Sequence, residues 1–324
     1  TINNTVYADL NGDGEVNSTD FTLLKRYLLR KIKEFPVNGI RPDAVRLDDL
    51  MGASVNTITN RFGQPDRIDL SRYGFDWYIY NNDLAKYLQI GIKDGKTVGI
   101  YSNSLYYKLN DNIGIGTPKS TVEEELGTPL SSITKGSTSY RMDNKDEWKV
   151  YKKNNEYYTY LFYNLQSDIE VTAFMMIDYA TEQSLKGFYG TPSDRLRKSY
   201  EMELFDITNA YRIRHGKDPF KWSDEMAALS RAFCKDMVEK GYFDFTDTNG
   251  QVVSDRMRNA GINYNSVSEL IAKGQMDSMF VIESWMKNRS STLLGGHEYV
   301  GIGINMESDG CVVYVYDLYI PSKY

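Results

Sequence analysis

One acidic stretch near the start of the chain constrains its folding more than any other. Residues 9–20 place Asp9, Asn11 and Asp13 at alternate positions, follow them with Gly14, Glu15 and Asn17, and end on Asp20. A hard divalent cation needs roughly six or seven oxygens at about 2.3–2.6 Å, and this spacing supplies them. Asp9, Asn11 and Asp13 offer side-chain oxygens, Gly14 permits the sharp turn, and the Glu15 carbonyl is the backbone ligand. Asn17 acts through a water, and Asp20 closes the loop where most EF-hands carry Glu. The expectation is an EF-hand-like loop with calcium as its cofactor; an acidic turn without a ligand would have to explain all of these positions agreeing at once. A helix should follow directly. Phe21, Leu24, Leu28 and Ile32 recur at three- and four-residue steps, which makes one apolar stripe, and Pro36 ends it.

The stretch from Asp9 to Arg30, with Asn17-Ser18-Thr19-Asp20 and then Leu24-Lys25-Arg26-Tyr27, resembles one repeat of a type I dockerin of clostridial cellulosomes. The resemblance implies that calcium folds the module and that the helix docks on a type I cohesin of a scaffold protein. Ser18, Thr19, Lys25 and Arg26 match the family's recognition positions. It also implies a secreted chain, extracellular or held at the cell surface. Dockerins carry two such repeats, and this sequence shows one. The chain begins at Thr1 without Met or a signal-like segment and reads as a mature or trimmed form.

A length of 324 residues suggests two or three domains. The net charge of −6 and a pI near 5.2 argue against nucleic acid as the main partner, because phosphate contacts need a basic face. No apolar run reaches the length of a membrane span. Cys234 and Cys311 form no motif, so a disulfide framework is absent; one bridge or two buried thiols both fit, the second more simply. His215 and His297 are the only histidines, too few for a multi-histidine zinc site. The 26 tyrosines suit half-buried strands as well as carbohydrate or protein contacts.

The middle of the chain repeats itself. Residues 52–65 read GASVNTITNRFGQP and residues 116–129 read GTPKSTVEEELGTP, with the two glycines eleven residues apart in both. Each stretch suits a short helix stopped by Gly with Pro just beyond. Strand-like runs follow each: 76–80, 87–92 and 97–101 after the first; 148–151, 157–163 and 169–177 after the second. Asp94-Gly95 is a hairpin turn signal. The expectation is an α+β domain of two helix-plus-hairpin repeats, about 46–104 and 110–180, within residues 37–195. Asp66, Arg67, Arg72 and Asp76 are expected to form a salt-bridge cluster that fixes the hairpins. Arg72-Tyr73-Gly74-Phe75-Asp76-Trp77 and the Gly63-Gln64-Pro65-Asp66-Arg67 run resemble the CAP-associated N-terminal domain.

Residues 196–324 should be an α-β-α sandwich. Helices are expected over 201–214, 223–239 and near 279–288, and strands over 299–305 and 311–320. Met226, Leu229, Phe233 and Met237 make the apolar stripe of the second helix, which Ser223 or Asp224 caps. Asn209-Ala210-Tyr211-Arg212, Phe220-Lys221-Trp222, Gly241-Tyr242-Phe243, Glu269-Leu270-Ile271-Ala272, Ser284-Trp285-Met286 and Val300-Gly301-Ile302-Gly303 resemble, in this order, the CAP domain (the SCP or pathogenesis-related-1 fold). That family's cleft usually holds two histidines and acidic residues. Here Phe245 stands where the first histidine belongs, Ser291 is the nearest match to the second, and Glu269 matches the acidic residue. Phe and Ser neither titrate near neutral pH nor bind a transition metal as imidazole does. Glu269 remains as a catalytic candidate only if burial raises its pKa, and His297 only if it reaches the cleft.

The favoured reading is a calcium-binding accessory protein tethered to a cellulosome scaffold, with a degenerate CAP cleft that binds a glycan, peptide or lipid. The alternative is a hydrolase directed at peptide, cell wall or polysaccharide and working through Glu269. A third reading has the calcium loop clamp its own helix against the middle domain. No pair of facing carboxylates marks a glycosidase.

Overall fold

A computed structural model describes residues 10, 18–30, 44–142, 147–164 and 169–322 of the chain. Helix α1 spans Ser18–Leu28. The middle region then runs β1 (Val45–Arg46), α2 (Val55–Phe62), β2 (Arg67–Leu70), β3 (Asp76–Tyr80), β4 (Leu88–Lys93), β5 (Lys96–Ser102) and β6 (Tyr107–Lys108). It continues with α3 (Lys119–Leu126), β7 (Ser132–Lys135), β8 (Thr138–Arg141), β9 (Trp148–Lys153), β10 (Tyr157–Tyr163), β11 (Val171–Asp178) and α4 (Tyr179–Ser184). The C-terminal region is α5 (Asp194–Arg214), β12 (Lys221–Trp222), α6 (Asp224–Lys240), α7 (Val253–Asn259), β13 (Tyr264–Lys273), α8 (Ser278–Leu293), β14 (Tyr299–Met306) and β15 (Val312–Pro321).

Each Gly-to-Gly-x-Pro stretch forms a short helix. Ser54 caps α2 by accepting from the Thr57 amide, and Gly63 and Gly127 end α2 and α3 at positive φ, where a side chain would be strained. The strands assemble into one seven-stranded antiparallel sheet in the order β2-β3-β4-β5-β11-β10-β9. Asp94 and Gly95 both take positive φ between β4 and β5, as a two-residue hairpin turn requires. The two sets of hairpins join where Phe174 to Ile177 of β11 face Ser102 to Gly99 of β5.

Strand alternation gives this sheet two apolar faces. Ile90, Ile100, Leu161 and Phe174 meet Ile58 of α2 and Val122 of α3 on one side. Trp77, Tyr101, Tyr160 and Met175 on the other side pack into a cluster with Leu204 and Tyr211 of α5 and Phe280 of α8. Those two helices in turn cover the second sheet, order β12-β14-β15-β13, through Ile302, Tyr314, Tyr316 and Leu318. Phe233 and Met237 of α6 pack on its far face against Val313 and Val315. The layers run helix, sheet, helix, sheet, helix, and a single apolar core crosses from the middle region into the C-terminal one.

The stripe Phe21-Leu24-Leu28 of α1 faces solvent, with Phe21 69% and Leu28 70% exposed, and Leu23 is buried on the other face; Ile32 lies outside the described residues. One expectation is corrected. The cysteines are both free, Cys234 buried between β14 and β15 but Cys311 partly exposed, so the second is not a core thiol.

Candidate functional site

Of the expected calcium ligands, Asp9, Asn11, Asp13, Glu15 and Asn17 lie outside the described residues. Asp20 is described. It sits in the first turn of α1, only 3% exposed, and its Oδ1 accepts the Leu10 amide at 2.6 Å. The hydrogen bond draws the two ends of the loop together, which is what a closing carboxylate must do, so Asp20 fits a cation-holding loop. Among the described residues no group of three or more His, Cys, Asp or Glu is placed to hold a metal.

The recognition-position residues divide by helix face. Ser18 and Lys25 are exposed, whereas Arg26 is half-buried and donates from Nη2 to the Gly216 carbonyl at 2.6 Å. Thr19 lies in the same first turn. The contact is with the C-terminal region, where the structural reading expected the middle domain.

The cleft position of Glu269 is built by three elements. In the register of β13 with β15, Glu269 lies opposite Asp317, and both project toward α6 and α7. From α7, Arg256 Nη2 donates to Glu269 Oε2, and its guanidinium lies flat on the Phe233 ring of α6 at 3.7 Å. From α6, Ser230 Oγ donates to Asp317 Oδ2 at 2.7 Å. α6 comes this close because β14 carries Gly301 and Gly303: a Cβ at either would collide with the backbone of Met226 or Ser230. The side chains of Glu269 and Arg256 are 4% and 9% exposed. Burial pushes the Glu269 carboxyl up, with Arg256 opposing it. Asp317 is pushed well above the ordinary carboxylate range by burial and then by the Glu269 charge. Both carboxyls are thus held above their ordinary range by burial, Asp317 the more strongly because Arg256 sits against Glu269. Chemically this is a largely buried ion pair, in which Arg256 holds Glu269 Oε2.

The replacements predicted around it hold their places differently. Phe245 is 48% exposed, with its carbonyl 3.4 Å from Arg256 Nη1, and Phe243 is exposed beside it. Ser291 is exposed near the end of α8. His297 does not reach Glu269. Its Nε2 is 3.3 Å from Ser268 Oγ, and neighbouring residues of a strand point to opposite faces, so the sheet separates the two. Burial, then the nearby Arg212 charge, lower the His297 pKa.

The expected cluster of Asp66, Arg67, Arg72 and Asp76 does not form. Asp66 accepts the Asn81 and Asn82 amides, and the other three cross to the C-terminal helices. Arg67 bridges Asp69 and Asp206 of α5. Arg72 is 3.5 Å from Asp277, lies between the Tyr73 and Phe280 rings, and joins Tyr73, which donates to Glu182. Asp76 pairs with Arg195 at 2.5 Å. These residues fasten the first sheet to α5 and α8 rather than fixing one hairpin. Sequence reasoning also missed Glu203 and Glu283, buried carboxyls on α5 and α8; long-range packing buries them, and nothing local marks it.

Three families match the chain in order: Dockerin type I domain over residues 2–44, CAP-associated N-terminal over residues 51–188, and the Cysteine-rich secretory protein family (CAP) over residues 205–318. The uncharacterized membrane protein YlbC of Bacillus subtilis is 24% identical over 281 residues, 79% of each chain. Cellulase/esterase CelE of Acetivibrio thermocellus is 67% identical over 33 residues, which is 10% of this chain and 4% of that enzyme. The crystal structure of an extracellular protein containing an SCP domain from Bacillus anthracis shares the fold, with a TM-score of 0.75 at 19% identity, covering 87% of this chain and 97% of that one. In sequence order, then, the chain joins a type I dockerin repeat, a CAP-associated N-terminal domain and a CAP domain of the cysteine-rich secretory protein family.

Proposed function

We propose that this chain is a secreted accessory protein, held extracellularly on a cellulosome scaffold by calcium-dependent docking of α1 on a type I cohesin, and that its CAP domain binds a ligand rather than cleaving one. The modules are residues 1–36, 37–195 and 196–324, the middle one made of two helix-plus-hairpin units. Asp9, Asn11, Asp13, Glu15, Asn17 and Asp20 would hold the calcium, and Ser18, Thr19, Lys25 and Arg26 would meet the cohesin. Calcium supplies charge that gathers the loop oxygens and sets the start of the helix.

The observation that carries the binding reading is the paired Glu269. A carboxylate paired with Arg256 beside a buried Asp317 is already engaged by the protein itself, while Phe243 and Phe245 expose apolar surface to solvent close by. Ligands of glycan, peptide or lipid character suit such a surface. The alternative, a hydrolase working through Glu269, needs an open carboxylate.

The test has two arms. Calorimetric titration of the full chain with calcium and then with a purified type I cohesin should give heat in both steps, and chelation should abolish the second. A chain that binds cohesin equally well after chelation, or that Ser18→Ala/Thr19→Ala leaves unaffected, would remove the docking assignment. In the other arm, Glu269→Gln should leave any ligand binding by the CAP domain within about twofold; a loss of turnover on a peptide, glycan or ester substrate would instead establish the hydrolase.

A further inference from the structure

Helix α1 does not stand clear of the body. Leu23 and Arg26, three residues apart, share one face; Leu23 is buried and Arg26 half-buried, while Phe21, Leu24 and Leu28 on the opposite face are exposed. The acceptor for Arg26 is the carbonyl of Gly216, just past the end of α5. The carboxyl end of a helix of 21 residues carries partial negative charge, so a guanidinium is well placed there. Gly216 has φ 63°, and a Cβ on it would lie 3.0–3.2 Å from the Arg26 guanidinium, so the close approach depends on glycine.

We propose that this contact is a latch: it holds the dockerin helix in a self-docked state that a cohesin must displace. The proposal rests on the cohesin reading above, which puts Arg26 in the docking surface. Ser18 and Lys25 lie free, but a partner that also covers Arg26 runs into the His215-Gly216 turn on that side. The two docked states therefore exclude each other, and the latched fraction of chains lowers the apparent affinity for cohesin. Scaffold binding is tuned by the chain's own C-terminal domain.

Gly216→Asn separates the possibilities. Asn tolerates a left-handed turn, its side chain takes the space of the guanidinium, and α1 itself is unchanged. Two measurements are made on the full chain in saturating calcium: hydrogen exchange over residues 18–29, and calorimetric titration with a purified type I cohesin. The expected result is faster exchange in α1, unchanged exchange in the core of α5 and α8, and cohesin affinity raised on the order of fivefold, the scale of one partly exposed charge-assisted hydrogen bond. Unchanged exchange in α1 overturns the latch whatever cohesin does. Faster exchange with no gain in affinity overturns the competition. If neither chain binds cohesin while exchange still rises, the tether reading falls and the competition with it, but self-docking stands.

Discussion

Glu283 projects from α8 into the seam between the sheets, where Tyr211 donates to one carboxyl oxygen at 2.5 Å and Thr172 of β11 to the other at 2.8 Å. Burial outweighs these bonds and the charge of Arg214, and pushes its pKa up to about 7; Tyr101 of β5 is the remaining group facing it. A carboxyl raised on folding is protonated in the native state at pH values where the unfolded chain has already lost the proton. Its contribution to stability is complete below the unfolded value and is lost as pH rises through about 7. The loss amounts to about 3 kcal/mol. Melting temperatures of the chain and of Glu283→Gln, taken between about pH 5 and about pH 8, should therefore show a shallower decline in the variant; parallel curves would refute the assignment. Arg256 has a different consequence. Arg256→Ala strands a buried carboxylate pair and should cost about 3–5 kcal/mol in denaturant unfolding, whereas a loss below about 1 kcal/mol would mean the pair is solvated. The position of Glu269 was legible from the order of short motifs around it. Its pairing was not, because Asp317 and Arg256 come from distant segments that only strand register and α7 bring to it.

Helix α6 was readable in the sequence because it is amphipathic: Met226, Phe233 and Met237 face the sheet and its other side faces water. Helix α5 was read short. It lies between two sheets, is buried along most of its length, and carries Glu201, Glu203, Asp206 and Arg212 inside, so no clean stripe marks its start at Asp194. Strand β13 was missed for a related reason. Asn265, Ser266, Ser268 and Glu269 look like loop, yet Glu269 is neutralised within the sheet and Ser268 sits against His297. The stripe of α1 was legible as a face, but periodicity does not say what covers it, and Phe21, Leu24 and Leu28 stand exposed. The meeting of α6 and β14 supplies an element-scale prediction. Gly303→Ala must push the Ser230 backbone away from the strand, and unfolding should show a loss of about 3 kcal/mol. Gly296→Ala, in open space, should be nearly silent.

Across the whole molecule, the modular sequence gives no sign that the middle and C-terminal regions share a core. Each family match ends within its own region, but the apolar cluster does not: Trp77 and Tyr160 pack in one body with Leu204, Phe280 and Tyr316. Calorimetry of residues 44–322 should consequently give one cooperative transition, and two resolved transitions would show the cluster to be weak. Arg72 is the test residue. Burial raises the Glu182 carboxyl, but Arg72 and Lys135 outweigh it and hold it below its ordinary value. Removing Arg72 in Arg72→Ala leaves Asp277 without a cation and should cost about 3–5 kcal/mol while lowering that single transition as a unit. The shared core also sets how the chain bears load. With both sheets clasping the same pair of helices, neither can be peeled away first, so pulling should give one rupture that releases both lengths of chain together instead of a staircase.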